Sequence, residues 1–296
     1  MATKKAASTK KTTANKPAAA KTTVRTVRAE AKPANTSVVR TRKESVLPNN
    51  SVNIVFAKLV GTFVLTLIAM LTFKETGALY MGLAFGVLTL AVSAVSGAHF
   101  NPAVTFGMWS MRRLRTLLVP FYWGAQFLGA MLAVIVINWT SNGFLKLNFD
   151  HIWSLDWSVF AAELVGTAVF MFGYAAVTNR LALANTSRAA GAGLALVVGI
   201  VAGGSLLATV QGSYDTSKWA SVNDIQHGYR VKTVTANPAV ALASTEATDS
   251  SFTGQRGDSK EKMYSRFTSE VVLGTLIGAA LGGNLYLLVV GARRND

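Results

Sequence analysis

The chain has 296 residues, 51% of them hydrophobic and only 15% charged, with 29 Lys/Arg against 14 Asp/Glu. That is too apolar for a soluble domain of this length. The absence of cysteine excludes disulfide staples and thiol chemistry, and three scattered histidines argue against a His-based metal cluster, so neither metal nor cofactor is expected.

Residues 1–50 hold 12 Lys/Arg and two Glu, with Pro17, Pro33 and Pro48 among Lys, Thr and Ala. So few apolar side chains cannot offset ordering entropy, and this basic tail is expected to be disordered. A solubilising tail is one reading. Attraction to anionic lipid or nucleic acid is the sharper one, although the tail has no aromatic residue for base stacking. A transit peptide is a third; a secretory signal is not expected, because no apolar core opens the chain.

Six apolar segments follow, at about 52–73, 78–97, 117–139, 157–177, 190–210 and 269–290. Each is near the ~20 residues that cross ~30 Å of hydrocarbon. With the N-terminus inside, the inner face carries the tail, Arg112, Arg113, Arg115, Arg180, Arg188, Arg293 and Arg294. The positive-inside rule then predicts two cytoplasmic termini. Lys58-Leu59-Val60-Gly61-Thr62 opens the first half and Glu163-Leu164-Val165-Gly166-Thr167 the second. Three spans per half set the second copy upside down, an inverted repeat. The second half is lengthened by polar stretches at about 211–233 and 245–266, outside the membrane, as an outer cap or as loose loops.

Each half also carries a box: Ser96-Gly97-Ala98-His99-Phe100-Asn101-Pro102-Ala103-Val104, and Thr235-Ala236-Asn237-Pro238-Ala239-Val240. Asn caps helices and Pro suits the first helical position, so each box predicts a helix start. Helix starts are partly positive and present free N–H groups. Two short helices entering from opposite sides would aim those ends at one spot, an arrangement tolerated at membrane depth only beside a cavity or buried in protein.

On both boxes, the Ser-Gly-Ala-His lead-in and the repeat, the chain resembles the major intrinsic protein family, the aquaporins and glycerol facilitators, over about residues 52–292. The resemblance implies an all-α membrane protein of six transmembrane helices plus two re-entrant half-helices. It implies a passive channel for water or small uncharged solutes such as glycerol, assembled as a homotetramer in the plasma membrane. Asn101, Pro102, Ala103, Asn237, Pro238 and Ala239 would then form the pore centre. Glu163 would brace the loop that carries a box, and His99 would be an internal hydrogen-bonder. Gln126, in Tyr122-Trp123-Gly124-Ala125-Gln126, also fits the family's third span.

Two positions depart from the family. Lys58 is a donor where the family has an acceptor, and either pairs with a carboxylate such as Glu163 or bonds loop carbonyls. Val240 stands where the family has the arginine of its outer selectivity filter. By resemblance the other filter positions are Met81, Ile200 and Val234, a ring without charge. Arg230 or Lys232 would be the substitutes for the missing cation. The competing reading is a membrane scaffold or adhesion protein with a closed pore; no nucleophile, phosphate loop or Ser/His/Asp cluster points to an enzyme.

Overall fold

The computed structural model describes residues 50–72, 77–141, 145–180, 182–254 and 261–291, without the side chains of Ala94 and Ser96. The basic tail, and with it the expectation of disorder, lies outside the described residues, as do Lys74, Glu75, Arg293 and Arg294. The chain divides into two units, 1–44 and 45–296, and the description below concerns the second.

Helix α1 (Ser51–Leu71) is followed by α2 (Gly77–Ser96), the short α3 (Pro102–Ser110) and α4 (Leu118–Thr140). The second half runs α5 (Trp157–Thr178), α6 (Asn185–Gln211), one-turn α7 (His227–Arg230), short α8 (Pro238–Ala243), one-turn α9 (Ser250–Thr253) and α10 (Ser269–Val290). Among the described residues, five helices, α1, α4, α5, α6 and α10, are long and apolar enough to cross a membrane, and α2 is a sixth apolar helix. Large apolar side chains point outward along them, among them Phe56, Leu83, Val87, Leu128, Ile135, Val198 and Leu281. An outer surface of this kind is stable only against hydrocarbon. The chain is an integral, multi-pass membrane protein.

The two halves repeat one pairing scheme. Helix α1 packs on α2 and α4, as α5 packs on α6 and α10, and α2 against α6 joins the halves. Each short helix also packs against the last helix of the other half, α3 on α10 and α8 on α4. Helix α6 starts earlier than the apolar pattern suggests. Its first turn is Asn185-Thr186-Ser187-Arg188, and Arg188 N–H donates to the Ala184 carbonyl at 3.0 Å. Apolarity marks the part of a helix in hydrocarbon, whereas backbone hydrogen bonding continues past it into polar sequence.

Small residues set the helix spacing. A Cβ built on Gly278 would lie 2.4 Å from the Leu164 carbonyl oxygen of α5, and one on Gly282 2.1 Å from that of Ala168. Membrane helices have little hydrophobic drive toward one another, so such backbone approach is what holds them.

Beyond the spans, β1 (Leu147–Asn148) pairs in parallel with β2 (Met263–Tyr264), tying the α4–α5 loop to the approach to α10. Described residues of the two polar stretches pack on each other through Tyr214, Trp219, Tyr229 and Phe252. Together these segments form a cap over one face.

Gly278→Val is expected to destabilise the detergent-solubilised protein by about 1–3 kcal/mol or more, because it forces α10 off α5. Gly124→Ala in α4, where a Cβ meets nothing within 4 Å, is expected to be neutral or to stabilise by up to about 1 kcal/mol through helix propensity. Thermal melts of the two variants side by side check this.

Candidate functional site

Each box residue Asn both starts its own helix and grips the other half. Asn101 Oδ1 accepts from Ala103 N–H at 2.8 Å, and Asn237 Oδ1 accepts from Ala239 N–H at 3.0 Å. These bonds cap α3 and α8, with Pro102 and Pro238 at the first helical positions. The amide nitrogens cross over. Asn101 Nδ2 donates to the Ala236 carbonyl at 2.7 Å, and Asn237 Nδ2 to the Phe100 carbonyl at 3.2 Å. Each Asn thus holds the residue just before the other Asn. Both are buried, as are Pro102, Ala103, Pro238 and Ala239.

The lead-in segments are held by buried side chains of opposite character. In the first half the His99 carbonyl accepts from Gln126 Nε2 at 2.8 Å and lies 3.5 Å from Lys58 Nζ. The Lys58 ammonium also sits 4.0 Å from the centre of the Tyr122 ring, a cation–π contact. In the second half Glu163 accepts from Thr235 N–H at 2.8 Å, Thr235 Oγ1 at 3.1 Å and Ala236 N–H at 2.9 Å. Ala236 is left-handed, with φ of 49°. A non-glycine residue resists that conformation by roughly 1–2 kcal/mol. Glu163 on its N–H and Asn101 on its carbonyl hold it there.

Of the two partners open to Lys58, the structure provides the loop carbonyl. The cation on Glu163 is Arg266, whose Nη2 lies 3.1 Å from Glu163 Oε1. Arg266 also donates through Nη1 to the Thr233 carbonyl and is 1% exposed. It has no counterpart among the sequence candidates. Its signal in the sequence was an arginine just before the last span, together with a membrane carboxylate needing a counter-charge. Arg230 instead pairs with Asp249 at 2.8 Å, and the Lys232 ammonium lies 4.8 Å from the Phe252 ring centre. Neither is placed at the boxes.

A family model described as Major intrinsic protein matches residues 50–214, over half the chain. The chain belongs to the major intrinsic protein family. The matched segment contains the first box and ends before the second. Aquaporin Z of Photorhabdus laumondii is 38% identical over 152 residues, 43% of this chain and 65% of that protein. Aquaporin NIP2-3 of Zea mays is 37% identical over 136 residues, 42% of this chain and 43% of that protein. The chain thus spans less than two thirds of the length of these relatives. The X-ray structure of the aquaglyceroporin from Plasmodium falciparum aligns with a TM-score of 0.49 at 19% identity, covering 82% of this chain and 96% of that one.

In this major intrinsic protein the four filter positions named by resemblance, Met81, Ile200, Val234 and Val240, are all buried in one apolar cluster. A cavity of about 290 Å³ lies beside His99, lined also by Thr89, Ser93, Tyr174, Thr178 and Arg188. A second polar cluster sits in the cap, where His151 and His227 face the buried Glu246. Burial lowers the affinity of His227 for its proton. The Glu270 hydrogen bond and the charges of Glu246, Glu270 and Asp156 outweigh burial and raise its pKa above the ordinary value. Burial raises the pKa of Glu246 against the pull of His227 and His151.

Glu163→Gln leaves the Arg266 guanidinium buried without its directly paired carboxylate, at an expected cost of about 3–5 kcal/mol. Replacing both, as Glu163→Gln with Arg266→Met, is expected to recover much of that loss. A double-mutant cycle on thermal unfolding measures the coupling, and strictly additive single effects would contradict it.

Proposed function

We propose that the chain is a passive transmembrane channel for water and small uncharged solutes such as glycerol. The observation that carries this reading is the pair of short helices, α3 and α8, started by Asn101 and Asn237 and clasped box to box. An amide nitrogen carries two N–H groups, and the opposite carbonyl takes one. The second on each Asn is left for a solute oxygen. Such remaining donors favour a lone pair and disfavour a cation. The cavity beside His99 is the approach to the boxes from the face opposite the cap.

Met81, Ile200, Val234 and Val240 form the outer constriction in this proposal. Lacking the family's arginine, that ring offers no fixed charge, and the Arg266 guanidinium is engaged by Glu163 and the Thr233 carbonyl. Solutes with a carbon backbone therefore pass more easily relative to water. Lys58, His99 and Glu163 act as braces. The names of the relatives, aquaporin Z and aquaporin NIP2-3, support the solute class. Lipid contacts the apolar outer surface, four copies assemble as a homotetramer, and both termini face the cytoplasm of a plasma-membrane protein. The basic tail is available to anionic lipid, and to nucleic acid as the weaker choice.

Stopped-flow swelling of proteoliposomes with water, glycerol and urea tests the reading. All three are expected to permeate. Val240→Arg is expected to lower glycerol permeability by about tenfold, equivalent to about 1.4 kcal/mol of barrier, and water permeability by less. Val240→Gln controls for bulk. A wild-type protein that passes water quickly but excludes glycerol and urea would overturn the filter assignment. One that passes none would favour the scaffold role.

A further inference from the structure

We infer that the cap holds a divalent transition-metal site of the zinc class, built by His151, His227 and Glu246. Three separate segments deliver the ligands: the α4–α5 loop, the first residue of α7, and the chain following α8. One ligand atom from each lies within 4.8 Å of the other two. His151 Nδ1 is 3.4 Å and His227 Nδ1 is 3.6 Å from Glu246 Oε2. Metal–ligand bonds of about 2.0–2.1 Å in a tetrahedral site put neighbouring ligand atoms about 3.3–3.4 Å apart. Two edges of the triangle are thus near that spacing, and the third must close modestly.

Two further observations point to a ligand. The Glu246 side chain is 1% exposed, and its Oε1 has no hydrogen-bond partner among the described residues. A buried carboxylate oxygen without a hydrogen-bond donor is costly, and a metal held by the carboxylate group would offset that cost. The histidines are also oriented as ligands. His227 Nε2 lies 2.8 Å from Glu270 Oε1, which fixes the tautomer with Nδ1 free to ligate. Ser154 Oγ donates to both Glu270 oxygens at 2.9 Å and so steadies the second carboxylate. The His151 ring is held flat against Tyr264, with ring centres 3.7 Å apart.

The charge balance allows a dication. Glu246, Glu270 and Asp156 face His227, while Arg266 opposes them and is itself neutralised by Glu163. Two imidazoles and one carboxylate suit Zn²⁺, Co²⁺ or Ni²⁺ and not the oxygen-seeking Mg²⁺ or Ca²⁺. Solvent would complete the coordination. The bound ion would fasten both polar stretches to the α4–α5 loop. The scarcity of histidine that argued against a metal in the sequence becomes an advantage in testing, because the third, His99, is buried beside the first box.

The test uses the full-length, tag-free protein in detergent, titrated with Co²⁺ and then Zn²⁺. Visible d–d absorption is expected to saturate at one Co²⁺ per protomer and to be displaced by Zn²⁺. Zn²⁺ alone is expected to raise the thermal midpoint of the wild type. His151→Gln and Glu246→Gln are each expected to weaken binding by tenfold or more. Glu270→Gln, which removes only the carboxylate that orients His227, is expected to weaken it by about 10–100-fold. The side chain of His151 is 33% exposed in a loop, so its substitution tests the site without endangering the fold. No Co²⁺ band at stoichiometric metal, or a band and a Zn²⁺ stabilisation unchanged in His151→Gln, overturns the inference.

Discussion

A short helix that begins inside the protein still has first-turn N–H groups that need partners there. Asn101 and Asn237 meet this constraint twice over, because each caps its own helix and donates to the carbonyl before the other cap. Neither half can satisfy its box alone. The arrangement therefore couples two sequence repeats into one body in addition to helix packing, since a buried polar group left unpaired is costly. The cross-packing of α3 on α10 and α8 on α4 follows from the same clasp.

The braces show how an approximate repeat tolerates a reversed charge. Lys58 and Glu163 occupy matching places near the start of each half, yet one donates and the other accepts. Each is matched to what its lead-in segment presents: the His99 carbonyl in the first half, the Thr235 and Ala236 N–H groups in the second. The left-handed Ala236 turns its N–H toward Glu163, whereas in the first lead-in the left-handed residues are Gly97 and Ala98, further from the cap. The backbone differs, and the side chains follow it.

Much of this was legible in the sequence. Apolar runs of membrane-crossing length gave the long helices, and the Asn-Pro pair marked both short ones because cap and proline preferences are local. The start of α6 was less clear, since Asn185 to Arg188 is helical but polar. Long-range pairings were not legible. Nothing local in Ser265-Arg266-Phe267 says that the arginine turns inward to Glu163. Nor does the sequence say that His151 and His227, far apart along the chain, meet at Glu246. Those meetings depend on how the cap loops fold over one another, through contacts such as the parallel pairing of β1 with β2.

The Glu163–Arg266 pair has a consequence for the order of synthesis. The two residues are 103 positions apart. At about 5–20 residues per second, a ribosome takes roughly 5–20 s to reach the arginine after making the glutamate. During that interval α5 carries a carboxylate whose final counter-ion does not yet exist, and Thr235 and Ala236 arrive before it. Until then the Glu163 carboxyl is either protonated or held by provisional contacts with water or neighbouring helices. The last loop, emerging just ahead of the last helix, closes the structure electrically as well as sterically.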